Sequence, residues 1–267
     1  MIELCLFYNG QESARLAEAG RLDCLVIDCE FHGKLERQEG YDTEINRNTP
    51  SDVAIARRCA PGMRLLCRIN GLAEDPAQSL DEARLAVDLG ADEILVPMVR
   101  SFADVEQVLE VVRGQARLGL MLETEWAVEH AAELDQYPLS RVFVGLSDLM
   151  VERSSRHLFE NVWNGTVATL RSRIASAQFG FGGLTLPTLG APIPCRLLMA
   201  ELARMRTGFT FLRRSFYRDL AQSQLSPLAA VTLIREAWLA MESRSPAQVE
   251  RDRSELWSMF ETALQLR

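Results

Sequence analysis

The segment EILVPMVRSFADVEQVLEVVRGQARLGLMLET (93–124) holds one complete strand–helix–strand unit, and its reading decides the fold. EILVPMV (93–99) and RLGLMLET (117–124) are nearly continuous in apolar residues rather than alternating, the pattern of parallel strands covered on both faces. Between them Ser101 opens a helix as its N-cap, and Val105, Val108, Leu109 and Val112 fall on one helical face. Gly114 stands where a C-terminal cap is expected.

The same unit recurs on both sides. IELCLFYN (2–9), CLVIDCE (24–30) and RLLCRIN (64–70) precede it, and RVFVGLSDL (141–149), FGFGGLTL (179–186) and FTFLRRSF (209–216) follow, giving eight strand-like runs. Thr49-Pro50, Ser226-Pro227 and Ser245-Pro246 each place a capping hydroxyl before a proline suited to the first helical position, and Gly90 marks another helix end. Val231, Ile234, Trp238 and Met241 repeat at helical spacing. Eight β-α units predict a (β/α)8 TIM barrel, a single α/β domain over residues 1–267, with an additional C-terminal helix at about 246–266. The competing arrangement, a doubly wound open sheet, commonly carries a Gly-rich phosphate loop, and no G-x-G-x-x-G follows the first run.

At 267 residues, 48% of them apolar and 25% charged, the chain is long enough to bury a full core in one such barrel. Twenty-nine basic against thirty-seven acidic residues leave a charge of −8, which argues against nucleic acid or an anionic membrane surface as partner. No apolar run approaches the ~18 residues of a membrane span, and MIELCLFYNG at the start lacks the pattern of a secretion signal. A cytoplasmic location is expected. The six cysteines, at 5, 24, 29, 59, 67 and 195, form no Cys-x-x-Cys pair and are expected to be buried thiols rather than disulfides or zinc ligands.

In such a barrel the strand ends form the reactive face. The second run ends in Asp28 and Glu30 with His32 two residues on, the third in Arg68 and Asn70, the fifth in Glu123 and Thr124, the sixth in Ser147 and Asp148. The fourth ends in Pro97, Met98 and Val99 and offers no polar side chain. Glu123 and Asp148 on adjacent strand ends would repel unless a cation lay between them, and hard oxygen ligands favour Mg²⁺ or Mn²⁺. Arg68 offers a planar fork for a substrate carboxylate or enolate oxygen. His32 is the candidate base, whereas His130 and His157 are set aside as helix and loop residues. One of Arg213 and Arg214 should point inward at the eighth strand, where phosphate or carboxylate groups are often bound.

VIDCEFHGK, LLCRING, GADEILVPMVRSFADVEQVL, LMLETEWAVEHAAEL and VFVGLSDL, in this order over about residues 22 to 150, resemble the successive signatures of the HpcH/HpaI aldolase and citrate lyase β-subunit family. The resemblance implies a phosphoenolpyruvate/pyruvate-type TIM barrel and a metal-dependent carbon–carbon lyase of the class II aldolase type, acting on a 2-oxo acid through a pyruvate-like enolate. It implies that Glu123 and Asp148 hold the metal and that Arg68 holds the enolate oxygen. It further implies that the backbone around Gly145, Ser147 and Asp148 receives the substrate carboxylate and that Glu30 orders the metal's waters. His32 stands one residue late because Phe31 intervenes, and Ser79 replaces the aspartate that partners that histidine. The alternatives are a lyase for an acyl-CoA or other thioester, and a non-catalytic barrel that binds metal or ligand. A symmetric homo-oligomer is expected, with Val249, Leu256, Phe260 and Leu264 of the last helix as its apolar stripe.

Overall fold

A computed structural model of the chain describes residues 1–32, 48–191 and 193–265. Gly33 and Lys34 of the second motif, and the side chain of Leu264, lie outside the described residues. The strands are β1 (Glu3–Phe7), β2 (Cys24–Asp28), β3 (Arg64–Arg68), β4 (Glu93–Val96), β5 (Arg117–Leu122), β6 (Leu139–Val144), β7 (Gln178–Phe181), β8 (Gly183–Leu184) and β9 (Phe209–Leu212). All neighbours pair in parallel, in the order β7-β6-β5-β4-β3-β2-β1-β9-β8.

The two ends of that order belong to one stretch of chain, so the sheet closes into the predicted barrel. FGFGGLTL is not one strand but two: Gly182 takes φ +65°, leaving β7 on β6 and β8 on β9. Positive φ is accessible to glycine without steric cost, which lets the chain turn there. The seam is closed by Gly208 donating to the Phe179 carbonyl at 2.9 Å and by the Thr210 hydroxyl donating to the Phe181 carbonyl at 3.1 Å.

Alternation along the strands divides the apolar residues into two sets. Val26, Leu66, Leu95, Met121, Phe143, Phe209 and Phe211 fill the barrel, while Leu25, Ile27, Leu65, Ile94, Leu120 and Val142 face the helices. The N-terminal end of the interior is polar: Arg141 pairs with Glu93 at 2.7 Å and stacks over the Phe209 ring at 4.6 Å. Cys5 and Cys24 are register partners on β1 and β2, and a disulfide joins them across a Cα separation of 4.7 Å. This corrects the expectation of six thiols, because the parallel register turns both side chains into the barrel within bridging distance. Cys29, Cys59, Cys67 and Cys195 are free thiols.

Helix punctuation follows the sequence at most sites. Ser101 and Asp104 form a reciprocal capping box on helix Phe102–Val112, and Ser226 accepts from the Ala229 amide at the start of helix Pro227–Glu242. Thr49 differs: its hydroxyl donates to Asp52 instead of capping the backbone. The last helix, Pro246–Gln265, packs along helix Cys195–Arg204 of its own barrel. Leu256 and Phe260 are buried in the common core, Val249 is half-buried, and Arg196 pairs with Asp252 at 3.0 Å and Glu255 at 2.7 Å. No helix among the described residues is long and apolar enough to cross a membrane.

Candidate active site

β2 and β3 end side by side at the C-terminal mouth, with Asp28 opposite Arg68 in register. Both are buried, and the guanidinium grips the carboxylate with Nε on Oδ1 and Nη2 on Oδ2, each at 2.7 Å. Nη1 lies 3.2 Å from Glu30 and 3.3 Å from the Met121 sulfur. The fork is therefore seated on Asp28 rather than open, and Nη1 is the corner directed to Glu30. Burial works against the Arg68 charge, but Asp28 and Glu30 outweigh it and hold the guanidinium more firmly protonated than usual.

Two residues further on, Asn70 fixes the loop after β2. Its side-chain oxygen accepts from the amides of Phe31 and His32, each at 2.9 Å, and its nitrogen donates to the Cys29 carbonyl and to Glu82. His32 is thus anchored at the mouth by its backbone, with its ring edge-on to Phe31 at 4.4 Å. Ser79 does not reach toward it: the Ser79 hydroxyl donates to the Gly71 carbonyl at 3.0 Å.

Glu123 follows β5 and is fully buried. Oε1 accepts from the Met98 amide at 3.0 Å, while Oε2 has no hydrogen-bond partner among the described residues. Burial, then the charges of Asp148 and Glu30, push its pKa well above the ordinary carboxylate range, against the pull of Arg68 and the Met98 amide. A Cβ on Gly145 would lie 1.9 Å from Oε2, so only glycine lets β6 pass this carboxylate. Asp148 is buried in the first turn of helix Leu146–Glu152, and Ser147 beside it is half-buried. Both were expected on the sixth strand. The strand stops at Val144, and Gly145 begins the helix.

Glu30, Arg68, Glu123 and Asp148 thus form one electrostatic group, as expected from the strand ends, and Gly145 and Ser147 border it. Among the described residues no three His, Cys, Asp or Glu side chains converge on one point to enclose an ion. Glu123 and Asp148 still suit a hard cation that keeps water or substrate in its other positions, since a buried, unpartnered carboxylate oxygen beside a second carboxylate is relieved by positive charge. Sequence reading passed over two contributors. Asp28 was noted only as a strand end. Met98, apolar and uninformative by type, acts through its amide, held at a left-handed φ of +53°.

A pocket of about 480 Å³, including space open to solvent, lies at the same mouth with Asp28, Arg68, Arg213, Arg214 and Tyr217 in its wall. Glu123 and Asp148 do not line it, so Arg68 is the residue shared by the pocket and the carboxylate group. The Tyr217 hydroxyl donates to the Phe7 carbonyl at 2.5 Å, tying the chain after β9 to the end of β1.

No protein-family model matches the chain, and no curated protein does. Solved structures do. An HpcH/HpaI aldolase/citrate lyase family protein from Burkholderia cenocepacia J2315 superposes with a TM-score of 0.63 at 13% identity, covering 88% of this chain and 95% of that one. A citrate lyase from Burkholderia xenovorans LB400 gives 0.60 at 14% identity, covering 100% and 92%. A 3-hexulose-6-phosphate synthase from Salmonella typhimurium gives 0.59 at 12%, covering 90% and 100%. The chain has the fold of these TIM-barrel structures, HpcH/HpaI aldolase and citrate lyase structures among them.

Proposed function

We propose that this barrel is a divalent-cation-dependent carbon–carbon lyase of the class II aldolase type, acting on a 2-oxo acid through a pyruvate-like enolate. The observation that carries the reading is the buried Glu123 carboxylate, with one oxygen unpartnered among the described residues and Asp148 as its charged neighbour, set beside the Arg68–Glu30 pair. Glu123 and Asp148 would hold Mg²⁺ or Mn²⁺, and the cation, when bound, supplies Lewis acidity to the keto and carboxylate oxygens of the substrate.

The protein's own groups do the rest. Asp28 fixes the plane of Arg68, and the Nη1 corner answers negative charge growing on the substrate oxygen. Glu30, 3.2 Å from that corner, holds it in place and orders nearby water. Gly145, whose own amide donates to the Leu122 carbonyl at 3.3 Å, opens a helix at the mouth, and the Ser147 amide in its first turn faces the substrate carboxylate. His32, pinned through its amide by Asn70, carries the proton of the acceptor hydroxyl. A symmetric homo-oligomer belongs to the same proposal on the family resemblance alone, since the last helix covers its own barrel, and a cytoplasmic location on the sequence grounds given above.

Enolisation is half of the aldol reaction whichever aldehyde follows, so the protein should exchange the methyl protons of pyruvate with deuterated water. Exchange should require Mg²⁺ or Mn²⁺ and stop on chelation. Arg68→Lys, which keeps a charge against Asp28, should slow it by roughly 10²–10³-fold, because a point charge cannot reproduce the fork. Wild-type protein with saturating cation and no exchange above buffer would remove the enolate reading.

A further inference from the structure

The proposed chemistry asks the Nη1 corner of Arg68 to receive negative charge on the substrate oxygen, yet that corner already has a partner. Nε and Nη2 are committed to Asp28, each at 2.7 Å. Nη1 donates to the Met121 sulfur at 3.3 Å, with Glu30 3.2 Å away. Met121 stands on β5 two residues before Glu123, so strand alternation sends both side chains to the same face. Its register partner is Phe143 on β6, and both belong to the cluster that fills the barrel. At 3% exposure the thioether is a core side chain by burial, and its sulfur nonetheless meets the one corner of Arg68 that faces away from Asp28.

A thioether is a weak acceptor, whereas an ionised oxygen makes the shorter and stronger charge-assisted hydrogen bond. An anionic oxygen therefore gains by taking the sulfur's place on Nη1, and a neutral carbonyl gains far less. Methionine is unbranched and turns about several torsions, so the sulfur can leave without moving the strand. Until then it keeps a buried N–H satisfied, which matters because an unmade hydrogen bond at a buried donor is costly. We propose that Met121 is a positioning residue that holds the Nη1 hydrogen of Arg68 until a substrate oxyanion displaces its sulfur, so that the corner selects a carboxylate or enolate oxygen over a neutral carbonyl. This rests on the 2-oxo acid reading above and deepens the part that Arg68 plays in it.

The test is calorimetric titration in the presence of Mg²⁺ with oxalate, whose adjacent oxygens imitate those of the pyruvate enolate. Met121→Leu keeps the volume and accepts no hydrogen bond, while Met121→Gln reaches as far and accepts a strong one. The leucine variant should bind oxalate several-fold more tightly than wild type, because Nη1 then has no sulfur to give up. The glutamine variant should bind it roughly tenfold more weakly, because a stronger bond must be broken first. Lost packing alone would move both variants in one direction. Mg²⁺ affinity measured without oxalate should be the same in all three proteins, and a fall in parallel with oxalate would trace the effect to Glu123 and Asp148 and overturn the proposal. If Met121→Gln does not fold, Met121→Leu decides by itself: binding equal to or weaker than wild type overturns the proposal. Shifts of one sign in both variants overturn it too and leave the enolate reading standing. Wild-type protein that binds no oxalate with saturating Mg²⁺ removes that reading and this proposal with it.

Discussion

Glu123 decides the behaviour of the mouth. Its pKa is raised in the folded protein, so the fold binds a proton that the unfolded chain releases near pH ~4.3. Metal-free protein should accordingly lose stability as pH rises from that value toward the raised one. Glu123→Gln cannot ionise and should flatten that fall, and it should also abolish tight Mg²⁺ or Mn²⁺ binding. Melting temperatures against pH under chelation check the first expectation, and parallel slopes for the two proteins would refute it. Asp148→Asn should weaken cation binding by more than the ~10–100-fold typical of outer-sphere partners. Gly145→Ala tests the seat instead of the ligand: its Cβ would displace Oε2, 1.9 Å away, and should lower cation affinity with both carboxylates present. Unchanged affinity in calorimetry would place the cation elsewhere.

At the scale of elements, closure of the barrel depends on two glycines that do different jobs. Gly182 permits the turn between β7 and β8, and alanine there meets the unfavourable left-handed region and the Leu198 side chain at 3.2 Å. That should cost roughly 1–2 kcal/mol. Gly180 lies against the seam itself: a Cβ would be 2.6 Å from the Phe209 carbonyl oxygen and 2.8 Å from its ring. Backbone cannot swing away as a leucine can, so Gly180→Ala should be the more destabilising of the two, by roughly 1–3 kcal/mol or more. Urea denaturation ranks them, and equal midpoints would show that the seam yields. The run FGFGGLTL announced close backbone approach through its glycines. It did not show which of them turns the chain, because that follows from pairing β7 with β6 and β8 with a strand some 25 residues later.

For the whole molecule, the question is what the last helix covers. Its apolar stripe requires a surface, and the structure supplies one within the chain, through Leu256, Phe260 and the ion pairs of Arg196. Phe260 stacks on Phe159 at 6.0 Å, binding the helix to the segment after helix Leu146–Glu152. Phe260→Ala should cost roughly 3–5 kcal/mol. Because the contact is intramolecular, the loss should not vary with protein concentration. A loss that shrinks as concentration rises would mean that the helix is held by a neighbouring subunit.

The sequence by itself determined the alternation of strand and helix, the capping at Ser101 and Ser226, and which side chains arrive at the strand ends. These are local properties: apolar runs, hydroxyls before prolines, and polar residues where such runs stop. They were enough to place Glu30, Arg68, Glu123 and Asp148 at one end of one barrel. Only the tertiary structure decided how those groups are used. It closed Arg68 on Asp28, forty residues away. It set the Met98 amide on Glu123, turned Cys5 and Cys24 into a disulfide inside the barrel, and left Arg213 among carbonyls. Each outcome depends on register and on distances through space, and side-chain type at a single position carries neither.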